Sequence, residues 1–307
     1  MTVTRTLRVG TRASALARTQ TDLIANALGV PFEIVPIVTE GDRSSAALTQ
    51  IGGTGVFVSA LRTALLEDRI DVAVHSYKDL PTAPADGIVV AAVPAREDAR
   101  DALIARDNLT LGELPPGSRV GTGAPRRAAQ LNALGLGLEI VPIRGNVDTR
   151  VRKVTEGELD GVVLAYAGLR RLGRADEITE ILDPIQVLPA PAQGALAIEC
   201  RASDQSAIDV LSALDHADTR ATVTAERALL AALEAGCSAP VGALAEVAEG
   251  DDGVLEVFLR GSVTAIDGSA AVRLSATGPT TDAEGVGRRL AAELIAEGAN
   301  TMMGSST

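Results

Sequence analysis

Apolar and polar positions follow a repeating rhythm along the first two thirds of the chain. Residues 3–10 read as a strand, and 14–28 as a helix with Leu16, Leu23 and Ala27 on one face and Gly29 as its stop. Residues 32–38 read as a second strand, 59–68 as a helix and 71–76 as a short buried strand. Between them residues 41–55, rich in Gly, Ser and Thr, predict a mobile loop. This βαβαβ order predicts a parallel sheet with right-handed crossovers. The order then returns as strand 119–122, helix 126–134, strand 138–143, helix 147–156 and strand 161–165.

The letters return as well. Residues 8–11, RVGT, recur as 119–122, and 33–37, EIVPI, recur as 139–143. Residues 67–74, EDRIDVAV, come back in weaker form as 156–163, EGELDGVV. A repeated α/β unit predicts two similar domains facing one cleft, with ligands beyond the carboxyl ends of the strands. Residues 95–100 and 188–194 read as two crossings between the domains, which together would form a hinge. From residue 219 the rhythm changes. An Ala/Leu-rich helix runs to 234, alternating strands follow at 255–263 and 271–277, and a last helix near 281–297 aligns Val286, Leu290 and Leu294. This predicts a small third domain of α+β type, with a disordered tail at 301–307.

Length and composition narrow the function classes. At 307 residues the chain is long enough for two or three domains. No apolar run approaches a membrane span, and the first ten residues lack the core of a signal peptide. Two cysteines, Cys200 and Cys237, fit a reduced, cytoplasmic setting, and with only His75 and His216 they predict no metal site. A net charge of −12 argues against non-specific nucleic-acid binding. Yet the cations are almost all arginine, Lys78 and Lys153 being the only lysines, and the arginines gather after the repeated strands.

These strand ends hold the candidate chemistry. Strand 71–76 delivers Ser76, Lys78 and Asp79 to its carboxyl edge, where Asp79 reads equally as a cleft carboxylate or as a turn cap before Pro81. His75, inside the apolar run, reads as a core histidine. Residues 121–127, GTGAPRR, place the start of a helix and two arginines together as an anion site, without the signature of a nucleotide loop. Arg144 and Arg150 follow the next repeated strand, Arg12 follows the first, and Arg170 and Arg171 follow 161–165. Each alone reads as a solvated charge; together they favour a polyanion held by guanidinium–carboxylate pairs, and phosphates would fit nearly as well. Cys200 reads as a buried thiol. Cys237, between Gly236 and Ser238 just past a helix, reads either as a structural thiol or as an accessible one able to anchor a group covalently.

The segments LRVGTRASALARTQ, DVAVHSYKDLPT, GTGAPRRAAQL, IRGNVDTRVRK, LAYAGLRRLG, PAPAQGALAIECR and GCSAPVG, in this order from residue 7 to 242, resemble the porphobilinogen deaminase (hydroxymethylbilane synthase) family. The resemblance implies two clamshell α/β domains of the type II periplasmic-binding-protein kind, residues 1–96 with 195–214 and residues 99–192, and a third domain at 217–307. It implies head-to-tail polymerisation of four porphobilinogen molecules with loss of ammonia, in haem biosynthesis, primed by a dipyrromethane held by a thioether to Cys237. Asp79 matches the catalytic aspartate. Ser76, Lys78, Thr122, Arg126, Arg127, Arg144, Gly145 and Arg150 match cofactor-binding positions. Arg12, Ser14, Gln20, Arg171 and Gln193 match positions associated with substrate. A carboxylate beside the pyrrole nitrogens would stabilise the azafulvene cation left when ammonia departs. A cytoplasmic monomer acting on a small molecule, with no metal, nucleic acid or membrane partner, is expected. Two departures are visible: many members carry lysines where this chain has Thr54 and Ser59, and serines where it has Gly123, Ala124 and Pro125. The competing reading is a non-catalytic two-domain binding protein for a polyanionic solute, which accounts for the repeat and the arginines but not for Cys237 or the third domain. A phosphate-handling transferase has no nucleotide loop or metal cluster behind it.

Overall fold

The structure, a computed structural model, describes residues 5–37, 55–234, 239–250 and 253–303, the side chains of 55–57 excepted. The predicted loop as far as Thr54, the far end of the predicted second strand, Cys237 and the end of the tail lie outside the described residues. In chain order the elements are β1 (Leu7–Thr11), α1 (Ala15–Ala27), β2 (Phe32–Pro36), α2 (Gly55–Leu66), β3 (Val72–Ser76), β4 (Ile88–Ala92) and β5 (Asp101–Ala105). There follow β6 (Arg119–Thr122), α3 (Pro125–Ala133), β7 (Glu139–Pro142), α4 (Val147–Thr155), β8 (Gly161–Ala165), α5 (Tyr166–Arg171) and β9 (Glu180–Ile181). The last are β10 (Leu196–Arg201), α6 (Gln205–Ser212), α7 (Ala217–Ala232), β11 (Val241–Glu249), β12 (Leu255–Thr264), β13 (Ala271–Pro279) and α8 (Ala283–Ala296).

The chain divides into two compact units, Met1–Arg96 with Ala195–Arg220, and Glu97–Gly194 with Ala221–Thr307. The first holds a five-stranded sheet ordered β2-β1-β3-β10-β4. The second holds a five-stranded sheet ordered β7-β6-β8-β5-β9 and a three-stranded antiparallel sheet, β11-β12-β13. The two larger sheets have one plan. In each, three strands run parallel and a fourth, β10 or β5, lies antiparallel beside the third. The three strands of each predicted βαβαβ unit run parallel as expected, and the antiparallel β10 and β5 are additions to them. Neither β10 nor β5 is reached from its neighbour through a βαβ crossover, so no crossover forces it parallel.

The repeated letters have repeated jobs. Gly10 and Gly121 sit in equivalent strands, and a Cβ on Gly121 would lie 2.6 Å from Leu159 Cδ1, just as one on Gly10 would collide with Ile70. Ile70 and Leu159 each precede an aspartate, and that aspartate ties the third strand to the first. Asp71 Oδ2 accepts from Arg8 N at 2.9 Å, and Asp160 Oδ2 accepts from Arg119 N at 2.7 Å. In the first unit the motif grows into an ion cluster, because Arg5, Arg8 and Arg201 all reach Asp71, whose side chain is fully buried.

Helix α1 corrects a predicted face. Leu23 is 56% exposed, while Gln20, Thr21, Ile24 and Ala25 are buried. The two polar residues go inward because the sheet satisfies them: Thr21 donates to Thr11 Oγ1 at 2.9 Å and Gln20 Nε2 to Ser76 Oγ at 2.9 Å. The α8 reading holds, with Val286, Leu290 and Leu294 all fully buried against the small sheet. Strands β4, β5, β10 and β11 carry no sequence expectation as strands. Their runs of Ala, Val and Leu have no clear period, and all but β11 are short.

A second buried ion cluster braces α2 on the first sheet. Arg62 Nη2 lies 2.7 Å from Glu199 Oε1, and His75 Nε2 lies 3.2 Å from Glu199 Oε2. His75 is thus buried in the core beside Glu199. Burial pushes the Glu199 carboxyl up, but the His75 hydrogen bond and Arg62 outweigh it and hold the group at about 2, against an ordinary 4.5. A carboxylate lowered on folding contributes its full stability above about pH 4.5 and loses it as pH falls toward 2. The urea midpoint of the protein should therefore hold steady down to about pH 5 and fall below it. Glu199→Gln should lower the midpoint at neutral pH and flatten part of that acid limb; denaturation curves across pH check both.

Candidate functional site

Each large sheet presents polar side chains at the carboxyl ends of its parallel strands. In the first unit, β1 leads into Arg12 and β3 into Ser76 and the 3₁₀ turn Tyr77–Asp79. These two strands are neighbours, so Arg12, Ser76, Lys78 and Asp79 belong to one sheet edge. Gln20 comes to the same edge from α1 through its bond to Ser76. Ser14 caps α1, its Oγ accepting from Ala17 N at 3.3 Å. Asp79 is half-buried, and its carboxylate makes no hydrogen bond or ion pair among the described residues. It therefore caps no turn there, and its acceptor sites take no donor among the described residues.

The second unit gathers its cations at the equivalent edge. After β6 the chain turns at Gly123 and enters α3, with Pro125 in the first turn and no side-chain cap at Ala124. Proline has no N–H to lose and suits this position, and the remaining first-turn N–H groups keep their anion-binding character. Thr122 Oγ1 accepts from Ala124 N at 3.2 Å and shapes the turn. A Cβ on Gly123 would stand 2.7 Å from the Ile143 carbonyl oxygen and 3.5 Å from Arg150 Nη2, so glycine is what lets these three segments close up. Arg150, from α4, donates through Nε to the Gly145 carbonyl at 2.8 Å. Gly145 has φ 103°, a conformation that glycine adopts at low cost. Arg144 and Gly145 are exposed. Arg171 closes α5 and donates to the Gly194 carbonyl at 2.7 Å.

Beneath this edge lies a residue that sequence reading passed over. Asp101, the first residue of β5, is fully buried between two buried guanidiniums. Arg126 Nη2 donates to its Oδ2 at 2.8 Å, while Arg127 donates to its Oδ1 through Nε at 3.0 Å and Nη2 at 2.8 Å. Gln193, also fully buried, gives its amide to Asp101 Oδ1 and to the Ala99 carbonyl, both at 2.7 Å, and accepts from Arg127 at 3.3 Å. Gln130 and Arg126 share the Leu188 carbonyl, at 3.0 and 2.6 Å. An acid opening an apolar run, DALIA, was the available signal for Asp101. Its partners lie more than twenty residues away and gave no local hint.

The charges in this cluster do not balance. Burial pushes the Asp101 carboxyl up, and the two arginines reverse it to well below the usual carboxylate range. One carboxylate cannot equally serve both cations. Burial, and then repulsion by Arg127, lower Arg126 below the ordinary arginine value despite its bond to Asp101. Burial and repulsion by Arg127 lower Arg150 as well. Guanidiniums so placed favour bidentate anions, above all carboxylates. This donor set fits a small group carrying several carboxylates.

A family model described as porphobilinogen deaminase, dipyromethane cofactor binding domain, matches residues 7–209, and one described as its C-terminal domain matches residues 220–296. The chain belongs to the porphobilinogen deaminase family. It is 59% identical over 304 residues to the porphobilinogen deaminase of Mycobacterium avium, covering 97% of this chain and 96% of that one. It is likewise 59% identical to that of Nocardia farcinica, with 97% and 88% covered. The methionine-binding protein MetQ overlays with a TM-score of 0.42 at 15% identity, over 68% of this chain and 89% of that one. The first family model is named for its cofactor, and the carboxylate-seeking cluster lies within its span. Among the described residues no group of side chains could hold a metal ion, and no helix is long and apolar enough to cross a membrane.

Removing one charge from a buried, paired cluster leaves the others uncompensated and costs about 3–5 kcal/mol. Asp101→Asn should destabilise the protein by that order, whereas Arg144→Gln, at an exposed position, should change stability by less than about 0.5 kcal/mol. Urea denaturation of the two variants beside the parent checks the contrast.

Proposed function

We propose that this chain is a transferase that joins four porphobilinogen molecules head to tail, with loss of ammonia at each addition, to give hydroxymethylbilane for tetrapyrrole biosynthesis. The observation that carries this reading is its membership of the porphobilinogen deaminase family at 59% identity along 97% of the chain. The excess of buried guanidiniums supports it, because each pyrrole of substrate and product carries an acetate and a propionate. The competing reading, a non-catalytic solute receptor, is not favoured, since the family match extends through the third domain. We take the chain as three domains, residues 1–96 with 195–214, residues 99–192 and residues 217–307. A cytoplasmic monomer acting on a small molecule is in keeping with the net charge of −12.

The dipyrromethane, bound through Cys237, supplies the pyrrole end to which the first substrate is joined. Arg126, Arg127, Arg144, Arg150 and Lys78 would hold its carboxylates, with Ser76, Thr122 and Gly145 shaping the strand ends around them. Arg12, Ser14, Gln20 and Arg171 would serve the incoming substrate, Ser14 and Gln20 by fixing α1 and Ser76. Gln193 would act through Asp101 and Arg127 rather than by touching substrate, because it is fully buried.

Each addition breaks the C–N bond of the substrate's aminomethyl group. The amine takes a proton and leaves as ammonia, and a C–C bond forms to a ring carbon that gives up its own proton. Positive charge develops on the substrate pyrrole as the amine departs. The half-buried carboxylate of Asp79 is suited to accept pyrrole N–H bonds and to stabilise that charge where it appears. The same group can carry a proton to the leaving amine.

The intact mass of the purified protein tests the reading. An increment of two porphobilinogen units less the ammonia lost, absent in Cys237→Ser, is expected. A bare chain that gains nothing on incubation with porphobilinogen would sink the proposal. Asp79→Ala should keep the melting temperature of the parent and lower turnover about 10²–10⁴-fold, as measured by the rate of bilane formation.

A further inference from the structure

Glu226 is fully buried on α7. Its two oxygens take different backbone donors. Oε2 accepts from Ala192 N at 2.6 Å, and Oε1 accepts from Ala245 N, on β11, at 2.8 Å. Ala192 has φ 60°, a left-handed conformation that an alanine adopts only under constraint. The next residue is Gln193, whose amide meets Asp101 and Arg127. A carboxylate on one side of the segment thus holds the bend that aims an amide at the arginine pair on the other. The segment has a further tie to β11, where Ala243 N donates to the Pro189 carbonyl at 2.9 Å.

We propose that Glu226 is a positioning residue for the Asp101–Arg126–Arg127 cluster: it fixes Ala192 in its left-handed bend and so sets Gln193 against Asp101. The inference rests on the reading of that cluster as the seat of the cofactor's carboxylates. A carboxylate is required because both of its oxygens must accept. A glutamine keeps one acceptor and turns an NH₂ group toward the other backbone N–H, so one of the two contacts becomes donor against donor. If the Ala192 contact is lost, the bend relaxes toward negative φ and the Gln193 amide swings away.

The test is the rate at which cofactor-free protein gains the dipyrromethane mass on incubation with porphobilinogen, followed by intact mass beside a thermal melt. The parent chain gaining the increment upholds the proposed function independently of Glu226; a parent that gains nothing removes both. Glu226→Gln should load at least about tenfold more slowly, the effect of losing one hydrogen bond to a charged group. Adding Ala192→Gly should restore most of the rate, because glycine enters positive φ without a brace. A merely structural Glu226 would not be rescued this way, since glycine only adds chain entropy to be lost on folding. Loading by Glu226→Gln at the parental rate, or a deficit that Ala192→Gly leaves unchanged, overturns the inference. Should Glu226→Gln fail to fold, Ala192→Val decides. It keeps Glu226 but puts a β-branched residue where φ is positive; slow loading supports the proposal and parental loading rejects it.

Discussion

Asp101 between Arg126 and Arg127 is the constraint around which the second unit is arranged. A buried carboxylate is tolerable only when paired and hydrogen-bonded, and here a guanidinium donates to each oxygen and Gln193 adds a further bond to Oδ1. Those partners arrive from α3 and from the segment that ends at Gly194, so the ion cluster locks helix, strand and return segment in one arrangement. It also leaves positive charge over. Two cations share one anion, and Arg150 stands close enough to Arg127 to be perturbed by it. That excess of positive charge suits the cluster to anions from outside, such as a ligand bearing several carboxylates.

The duplicated framework shows which features are generic and which are chemical. Both large sheets keep the glycine that admits Ile70 or Leu159, and the aspartate that ties the third strand to the first. At the strand ends the two part company. The first unit presents a half-buried carboxylate, Asp79, beside Lys78, whereas the second presents guanidiniums above a buried acid. One backbone plan thus carries a group suited to stabilise developing positive charge and, separately, a set suited to hold negative charge.

What the sequence disclosed follows the range of the interactions. Strands β6 and β8 match the reading residue for residue, because the repeated letters align strongly apolar runs that end in turns. The strand-end residues were visible for the same reason. The α1 face was misread because hydrophobicity alone selected Leu16 and Leu23, while Thr11 and Ser76, far off in the chain, draw Thr21 and Gln20 inward. The antiparallel strands β5 and β10 went unseen because their place depends on pairing across the sheet rather than on their own short, unpatterned runs. Asp101, Gln130 and Glu226 were illegible for a related reason. Each looks like an ordinary polar residue until its distant partners are known.

The same imbalance that suits the site to its ligand weighs on the empty protein. Uncompensated guanidiniums are costly to bury, and Asp101 offsets only part of that cost. Any carboxylate that enters binds the folded chain and not the unfolded one, so occupancy adds to stability by mass action. A covalently held group makes that contribution permanent, because it cannot dissociate when the protein is diluted. On the proposed reading its carboxylates would remain as counter-ions to Arg126, Arg127, Arg144 and Arg150, and later carboxylates would need partners beyond these. The half-buried Arg12 and Arg171 are suited to that task. Partly exposed, they are suited to bind a charged substrate and let it go.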